Sequence, residues 1–138
     1  MKKFKILIPV YNDWQSLSTL LNNVDNEIKN LDHEFSIIVI DDASTFHRHL
    51  NIKDLLNIKS IKILSMKENK GHARCIATGL KYIFEKEEFD YVIPMDGDGE
   101  DRPEEIKEFV KSVEKLPEQT VVGERVKRSE AFVFKLCY

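Results

Sequence analysis

Apolar residues along this chain follow two alternating patterns. Lys5-Ile6-Leu7-Ile8-Pro9-Val10 is a continuous apolar run, as expected of a parallel strand covered on both faces. Pro9 has no N–H for a ladder, which places it at the strand's end. Behind Asp13, a residue suited to capping, Leu17, Leu20, Leu21, Val24, Ile28 and Leu31 recur at helical spacing. Phe35 to Ile40 reads as a second buried strand, Leu50 to Leu56 as a weaker helix, and Ile61 to Leu64 as a short third strand. After the turn Asn69-Lys70-Gly71-His72, the residues Ile76, Ala77, Leu80, Ile83 and Phe84 mark one face of another helix. Tyr91 to Met95 is the fourth strand. Asp101 and Glu104 form a capping-box pattern around Pro103, opening a helix that buries Ile106, Phe109, Val110, Val113 and Leu116. Thr120 to Gly123 reads as a fifth strand, followed by a basic, partly aromatic tail.

Alternation of strand and helix predicts an α/β fold, a three-layer α/β/α arrangement around a mostly parallel sheet with right-handed crossovers. Ligands of such sheets bind beyond the carboxyl ends of the strands. Here those ends carry Tyr11-Asn12-Asp13, Asp41-Asp42 and the run from Asp96 to Asp101, so the unusual polar clusters share one edge.

Composition narrows the field. With 138 residues the chain is expected to form a single domain, 1–138. A formal net charge of −3 lacks the basic excess of a general nucleic-acid binder. Cys75 and Cys137 fit no metal or redox spacing, so a reducing compartment without disulfides is the default. No secretory signal and no apolar segment of about 20 residues is visible, which predicts a cytoplasmic protein.

The candidate chemistry centres on Asp96-Gly97-Asp98-Gly99-Glu100-Asp101. Carboxylates at this density repel one another, and the glycines allow Asp96, Asp98 and Glu100 to converge on a cation. Hard oxygen ligands suit Mg²⁺ or Mn²⁺, ions that keep positions open for substrate phosphates. A solvated acidic loop is the plain alternative. Of the pair Asp41-Asp42, one carboxylate can serve loop amides as an Asx turn, leaving the other for a base N–H or a sugar hydroxyl. Gly71-His72-Ala73-Arg74 opens a helix, whose free N–H groups favour a phosphate; a simple helix entry is the competing account. Gly123-Glu124-Arg125-Val126-Lys127-Arg128 offers two guanidiniums for a diphosphate, against a solvated basic face. His33, His47 and His49 read as surface residues, and Trp14 as packing at a helix start.

Taken in order, Ile8-Pro9-Val10-Tyr11-Asn12, Val39-Ile40-Asp41-Asp42-Ala43-Ser44, Asn69-Lys70-Gly71 through Gly79-Leu80, Met95 through Glu104, and Val122-Gly123-Glu124-Arg125 resemble the family 2 glycosyltransferases of GT-A fold. The likeness is to their N-terminal, nucleotide-binding part, in the manner of dolichyl-phosphate mannose synthase and the bacterial polyprenyl-phosphate glycosyltransferases. It implies that Pro9, Tyr11, Asn12 and Asp42 hold the nucleoside, with Asp42 on the base. Asp96 and Asp98 match the family's D-x-D, and Glu100 stands where the mannose synthases place a metal-reaching glutamine. Arg125 matches the arginine facing the donor diphosphate. Arg74 departs from the small residues usual there.

The resemblance implies a metal-dependent inverting transferase that moves a sugar from a nucleotide-diphosphate sugar to a polyprenyl phosphate or a saccharide acceptor. Such a role belongs to cell-envelope polysaccharide synthesis, with peripheral association at the cytoplasmic membrane face; Phe132, Phe134 and Tyr138 could begin an interfacial helix, with core packing the commoner account of such residues. The family's domain normally runs about 100 residues further, so a C-terminally truncated GT-A domain is expected, and the catalytic base is unassigned. A non-catalytic nucleotide-sugar-binding module is the alternative. A receiver-type phosphoacceptor domain lacks its Thr/Ser and Lys strand ends here. An EF-hand loop fails at Asp101, where glycine is required, and at Lys107.

Overall fold

The computed structural model describes residues 1–123 apart from 51, 53, 117 and 119. Two compact units are distinguished, Met1–Lys107 and Glu108–Tyr138. In the first, β1 (Lys3–Val10), β2 (Glu34–Asp41), β3 (Ile58–Ser65) and β4 (Tyr91–Pro94) form one sheet in the order β3-β2-β1-β4. Every pairing is parallel. The apolar runs of β1 and β2 are buried along almost their whole length, as strands covered on both faces must be.

Pro9 sits where the topology tolerates it. Pairing of β4 with β1 runs only from Phe4 to Leu7, so beyond Leu7 one side of β1 is free of a ladder. Helix α1 (Trp14–Ile28) begins as expected, with the Asp13 carboxylate accepting the Ser16 N–H at 3.1 Å. It buries Trp14, Leu17, Leu20, Leu21, Val24 and Ile28. Helix α2 (His72–Lys86) packs Cys75 and Ile83 against Leu7, Ile38 and Ile40. Since β1 connects to β2 in one direction and β3 returns to β4 in the other, right-handed crossovers put α1 and α2 on opposite sheet faces.

Several expectations are corrected. Among the described residues of the expected helix over 50–56, namely 50, 52 and 54–56, none is helical. The end of the connection from β2 to β3 is held by Asp25, a buried carboxylate on α1 that accepts the N–H groups of Asn57 (2.8 Å), Ile58 (2.9 Å) and Leu56 (3.3 Å). Strand β3 starts at Ile58, earlier than Ile61. On α2 the buried face is Cys75, Gly79 and Ile83, whereas Leu80 and Phe84 are exposed. Residues 120–123 form no strand. Pro103 does open a short 3₁₀ turn (Pro103–Glu105) leading into α3 (Ile106–Lys115), but no side chain caps it. Asp101 is engaged elsewhere. Within the second unit α3 buries Val110 and Val113 and leaves Leu116 exposed.

Candidate functional site

Three loops meet the carboxyl edge of the sheet. After β1, Tyr11 is half exposed and Asn12 adopts a left-handed conformation (φ 59°). The Asn12 side chain accepts the N–H groups of Thr45 (2.8 Å) and Phe46 (2.9 Å), while its own N–H donates to Ser44 Oγ at 2.8 Å. Asn12 therefore binds the loop after β2 to the end of β1. Asparagine tolerates this backbone region, and its amide supplies what a turn otherwise lacks.

After β2 the chain places two buried carboxylates side by side, and both are engaged. Asp41 accepts the Ser44 N–H (2.9 Å), Arg48 Nη2 (3.1 Å) and Ser65 Oγ (3.2 Å). Burial alone would raise its pKa, but hydrogen bonds from Ser44, Arg48 and Ser65 bring it below the usual value. Asp42 accepts the backbone N–H groups of Lys70 at 2.7 Å and Gly71 at 2.8 Å. Both carboxylates of the pair therefore serve loop amides, because the α2 entry supplies a second set of donors. Burial, followed by the hydrogen bond to Asp42, pushes the Cys75 thiol up to about 12, so Cys75 is a neutral donor beneath that carboxylate. Arg48 lies over the Trp14 ring at 5.0 Å, adding a guanidinium to a residue read only as packing.

The acidic loop follows β4. Its path is close-fitting, since a Cβ on Gly97 would stand 3.0 Å from the Pro9 carbonyl oxygen. Gly99 takes a left-handed turn (φ 87°) that suits glycine. Asp96 is half-buried, and its Oδ1 stands 3.2 Å from His72 Nε2. Burial raises the Asp96 pKa, His72 opposes the shift, and Asp101, Asp98 and Glu100 add to it. Asp98 Oδ1 accepts the Glu100 N–H at 2.9 Å, and Asp101 Oδ2 accepts the Asp96 N–H at 2.7 Å. Among the described residues no three His, Cys, Asp or Glu side chains could hold a metal ion together. In this arrangement Asp96 faces His72 and Asp98 turns to the Glu100 N–H, so the carboxylates do not close into a three-ligand group by themselves. What the loop offers is one or two hard carboxylates, a set suited to an ion whose remaining ligands are phosphate oxygens. A cleft of about 290 Å³ separates this loop from α1, lined by Ser16, Thr19 and Asn23 opposite Asp98, Arg102 and Glu104.

Pro9, Tyr11, Asn12, Asp42, Asp96, Asp98 and Glu100 all lie on this sheet edge. Arg125 lies outside the described residues, as do Arg128, Phe132, Phe134 and Tyr138. Sequence reasoning missed Arg48 and the His72–Asp96 link. A readable signal existed for Asp25 alone, a carboxylate set into the apolar stripe of α1.

A four-stranded parallel sheet with helices gives the chain a GT-A-like α/β fold. Residues 5–135 match the profile of "Glycosyl transferase family 2", and the chain belongs to that family. It is 30% identical over 116 residues to undecaprenyl-phosphate 4-deoxy-4-formamido-L-arabinose transferase of Proteus mirabilis, covering 83% of this chain and 34% of the relative. It is 28% identical over 144 residues to UDP-N-acetylglucosamine–dolichyl-phosphate N-acetylglucosaminyltransferase of Methanococcus voltae, covering 95% of this chain and 55% of that one. Among solved structures, S. aureus TarS 1–349 in complex with UDP-GlcNAc superimposes with a TM-score of 0.63 at 22% identity, over 92% of this chain and 37% of TarS. Mannosyltransferase PcManGT from Pyrobaculum calidifontis, in complex with GDP-Man and Mn²⁺, gives 0.51 at 21% identity, over 70% and 28%. The chain spans only part of each of these proteins. Among the described residues no helix is long and apolar enough to cross a membrane.

Proposed function

We propose that residues 1–138 form a nucleotide-sugar-binding domain of a metal-dependent, inverting glycosyltransferase with a polyprenyl phosphate acceptor. The observation that carries this reading is the placement of Asp42, Asp96 and Asp98 on one sheet edge in a chain of this family. Supporting it, the relatives named above are transferases whose names specify undecaprenyl or dolichyl phosphate.

In this reading Pro9, Tyr11 and Asn12 line the nucleoside, Asp42 addresses the base, and Asp98 with Asp96 and Glu100 would hold Mg²⁺ or Mn²⁺. A divalent ion supplies charge stabilisation to the departing nucleoside diphosphate. The chain's own residues orient: Asn12 fixes the loop after β2, and the Lys70 and Gly71 amides fix the Asp42 carboxylate. Arg125 would face the diphosphate. A phosphate acceptor is already ionised near neutral pH and needs little help from a protein base. Work on such an acceptor takes place at a membrane face, here the cytoplasmic one, in the building of cell-envelope polysaccharide.

A second reading is a nucleotide-sugar-binding module without transfer. Calorimetric titration of UDP and GDP, each with and without Mn²⁺, on wild type and Asp98→Ala tests the donor site. Metal-dependent binding that disappears in the variant is the expected result; absence of binding under every condition would overturn the donor reading. Transfer from the bound nucleotide sugar to a polyprenyl phosphate then separates enzyme from module.

A further inference from the structure

We infer that His72 is a positioning residue, tying the Asp96 carboxylate to the entry of α2 and so setting the acidic loop against the nucleoside side of the site. The inference rests on the donor-site reading above. His72 Nε2 stands 3.2 Å from Asp96 Oδ1. His72 is the first residue of α2, and the residues before it, Lys70 and Gly71, donate their N–H groups to Asp42 at 2.7 and 2.8 Å. A path of contacts thus runs from the end of β2 to the end of β4, two hydrogen bonds to Asp42 followed by the His72–Asp96 ion-pair contact. Its anchor is firm, since Asp42 is only 4% exposed.

Other contacts of the acidic loop do different work. Met95 N–H donates to the Leu7 carbonyl at 2.9 Å and fixes where the chain leaves the sheet. Asp101 and Asp98 accept N–H groups from within the loop and fix its shape. The direction of the Asp96 carboxylate is left to His72. Because the two side chains are 57% and 42% exposed, the pair adds little to folding stability. Its effect is on orientation. An outer partner that orients a metal-ligating carboxylate typically changes metal affinity about 10- to 100-fold when removed.

Two variants and a paired ligand set test this. His72→Ala should weaken UDP or GDP binding in Mn²⁺ about tenfold. Binding of UMP or GMP without metal, which depends on the Asp42 side, should stay within about twofold, and the melting temperature should not move. His72→Gln, which places an amide N–H near the Nε2 position, should recover most of the loss. In metal-free protein, Asp96→Asn should shift the His72 ring ¹⁵N resonances, a readout independent of metal or activity. Unchanged diphosphate binding in His72→Ala, an equal loss for mono- and diphosphate, failure of glutamine to rescue, or an unmoved His72 ring would each overturn the inference. If Asp98→Ala still abolishes Mn²⁺-dependent binding in those cases, the donor reading stands. If wild type binds no diphosphate with or without Mn²⁺, that reading falls, and this inference with it.

Discussion

The Asp42 carboxylate receives the Gly71 N–H at 2.8 Å, joining the end of β2 to the first residue before α2. This contact crosses the sheet edge at which the nucleotide is proposed to bind. An aspartate in such a position has two tasks, closing the fold and presenting an oxygen to a ligand. The two can be separated.

Replacing Asp42 by alanine leaves the Lys70 and Gly71 amides without their acceptor, and since both bonds are only part-buried each loss costs about 0.5–1.5 kcal/mol. Asp42→Ala should therefore lower unfolding free energy by about 1–3 kcal/mol in urea titrations. Asp42→Asn retains one acceptor oxygen and should cost about half as much. If Asp42 also addresses the base, the asparagine variant will lose nucleotide affinity out of proportion to its stability. Equal affinity in Asp42→Asn and wild type would remove Asp42 from the base site.

Gly79 marks where α2 presses on β1. A Cβ at this position would stand 2.3 Å from Leu7 Cδ1 and 3.0 Å from Ile40 Cγ1, both on fully buried side chains. Alanine gains about 1 kcal/mol of helix propensity over glycine, but overpacking a closed core costs about 1–3 kcal/mol. Gly79→Ala should come out net destabilising. A urea midpoint equal to or above wild type would show that Leu7 can repack.

The elements legible in the sequence were those with one dominant signal. The continuous apolar runs of β1 and β2, the Asp13 cap and the stripe of α1 all gave the right element. The described residues of 50–56 did not, and at the end of that stretch a distant carboxylate, Asp25, takes the Leu56, Asn57 and Ile58 amides. On α2 the apolar residues outnumber those the sheet can cover, so Leu80 and Phe84 looked buried while glycine and cysteine make the contact. Local pattern cannot say which side of such a helix meets a sheet. At the site, spacing brought Asp41, Asp42, Asp96 and Asp98 to one edge, yet the partners of these carboxylates include tertiary neighbours such as His72 beside Asp96 and Arg48 on Asp41.

Asp25 and Asp41 give the protein an acid-sensitive side. For Asp25, burial acts to raise the pKa, but hydrogen bonds from Asn57, Ile58 and Leu56 together lower it below 3.8; Asp41 is lowered likewise. A carboxylate depressed in the folded state contributes stability that is present above its unfolded pKa and is lost as pH falls through the folded one. Unfolding free energy should therefore decline as pH drops below about 4. Asp25→Asn should start about 2–3 kcal/mol less stable at neutral pH and show a shallower acid decline. Parallel acid limbs in urea titrations of the two proteins would exclude Asp25 as a source of the effect.

The separation of the acidic side chains makes a prediction about the order of binding. With no three metal-ligating side chains grouped among the described residues, Mn²⁺ has few protein ligands of its own. A nucleoside diphosphate supplies the missing oxygens. Mn²⁺ should accordingly bind the free protein at least about tenfold more weakly than it binds the protein with UDP or GDP present. Coupling of this kind is reciprocal, so Mn²⁺ must raise nucleotide affinity by the same factor. Calorimetry can measure both arms. Asp98→Ala should abolish the coupling while leaving metal-free nucleoside binding in place, because the nucleoside contacts lie at the ends of β1 and β2. Tight Mn²⁺ binding to the free protein would mean instead that Asp96, Asp98 and Glu100 close into a site unaided, and the ion would then precede the donor.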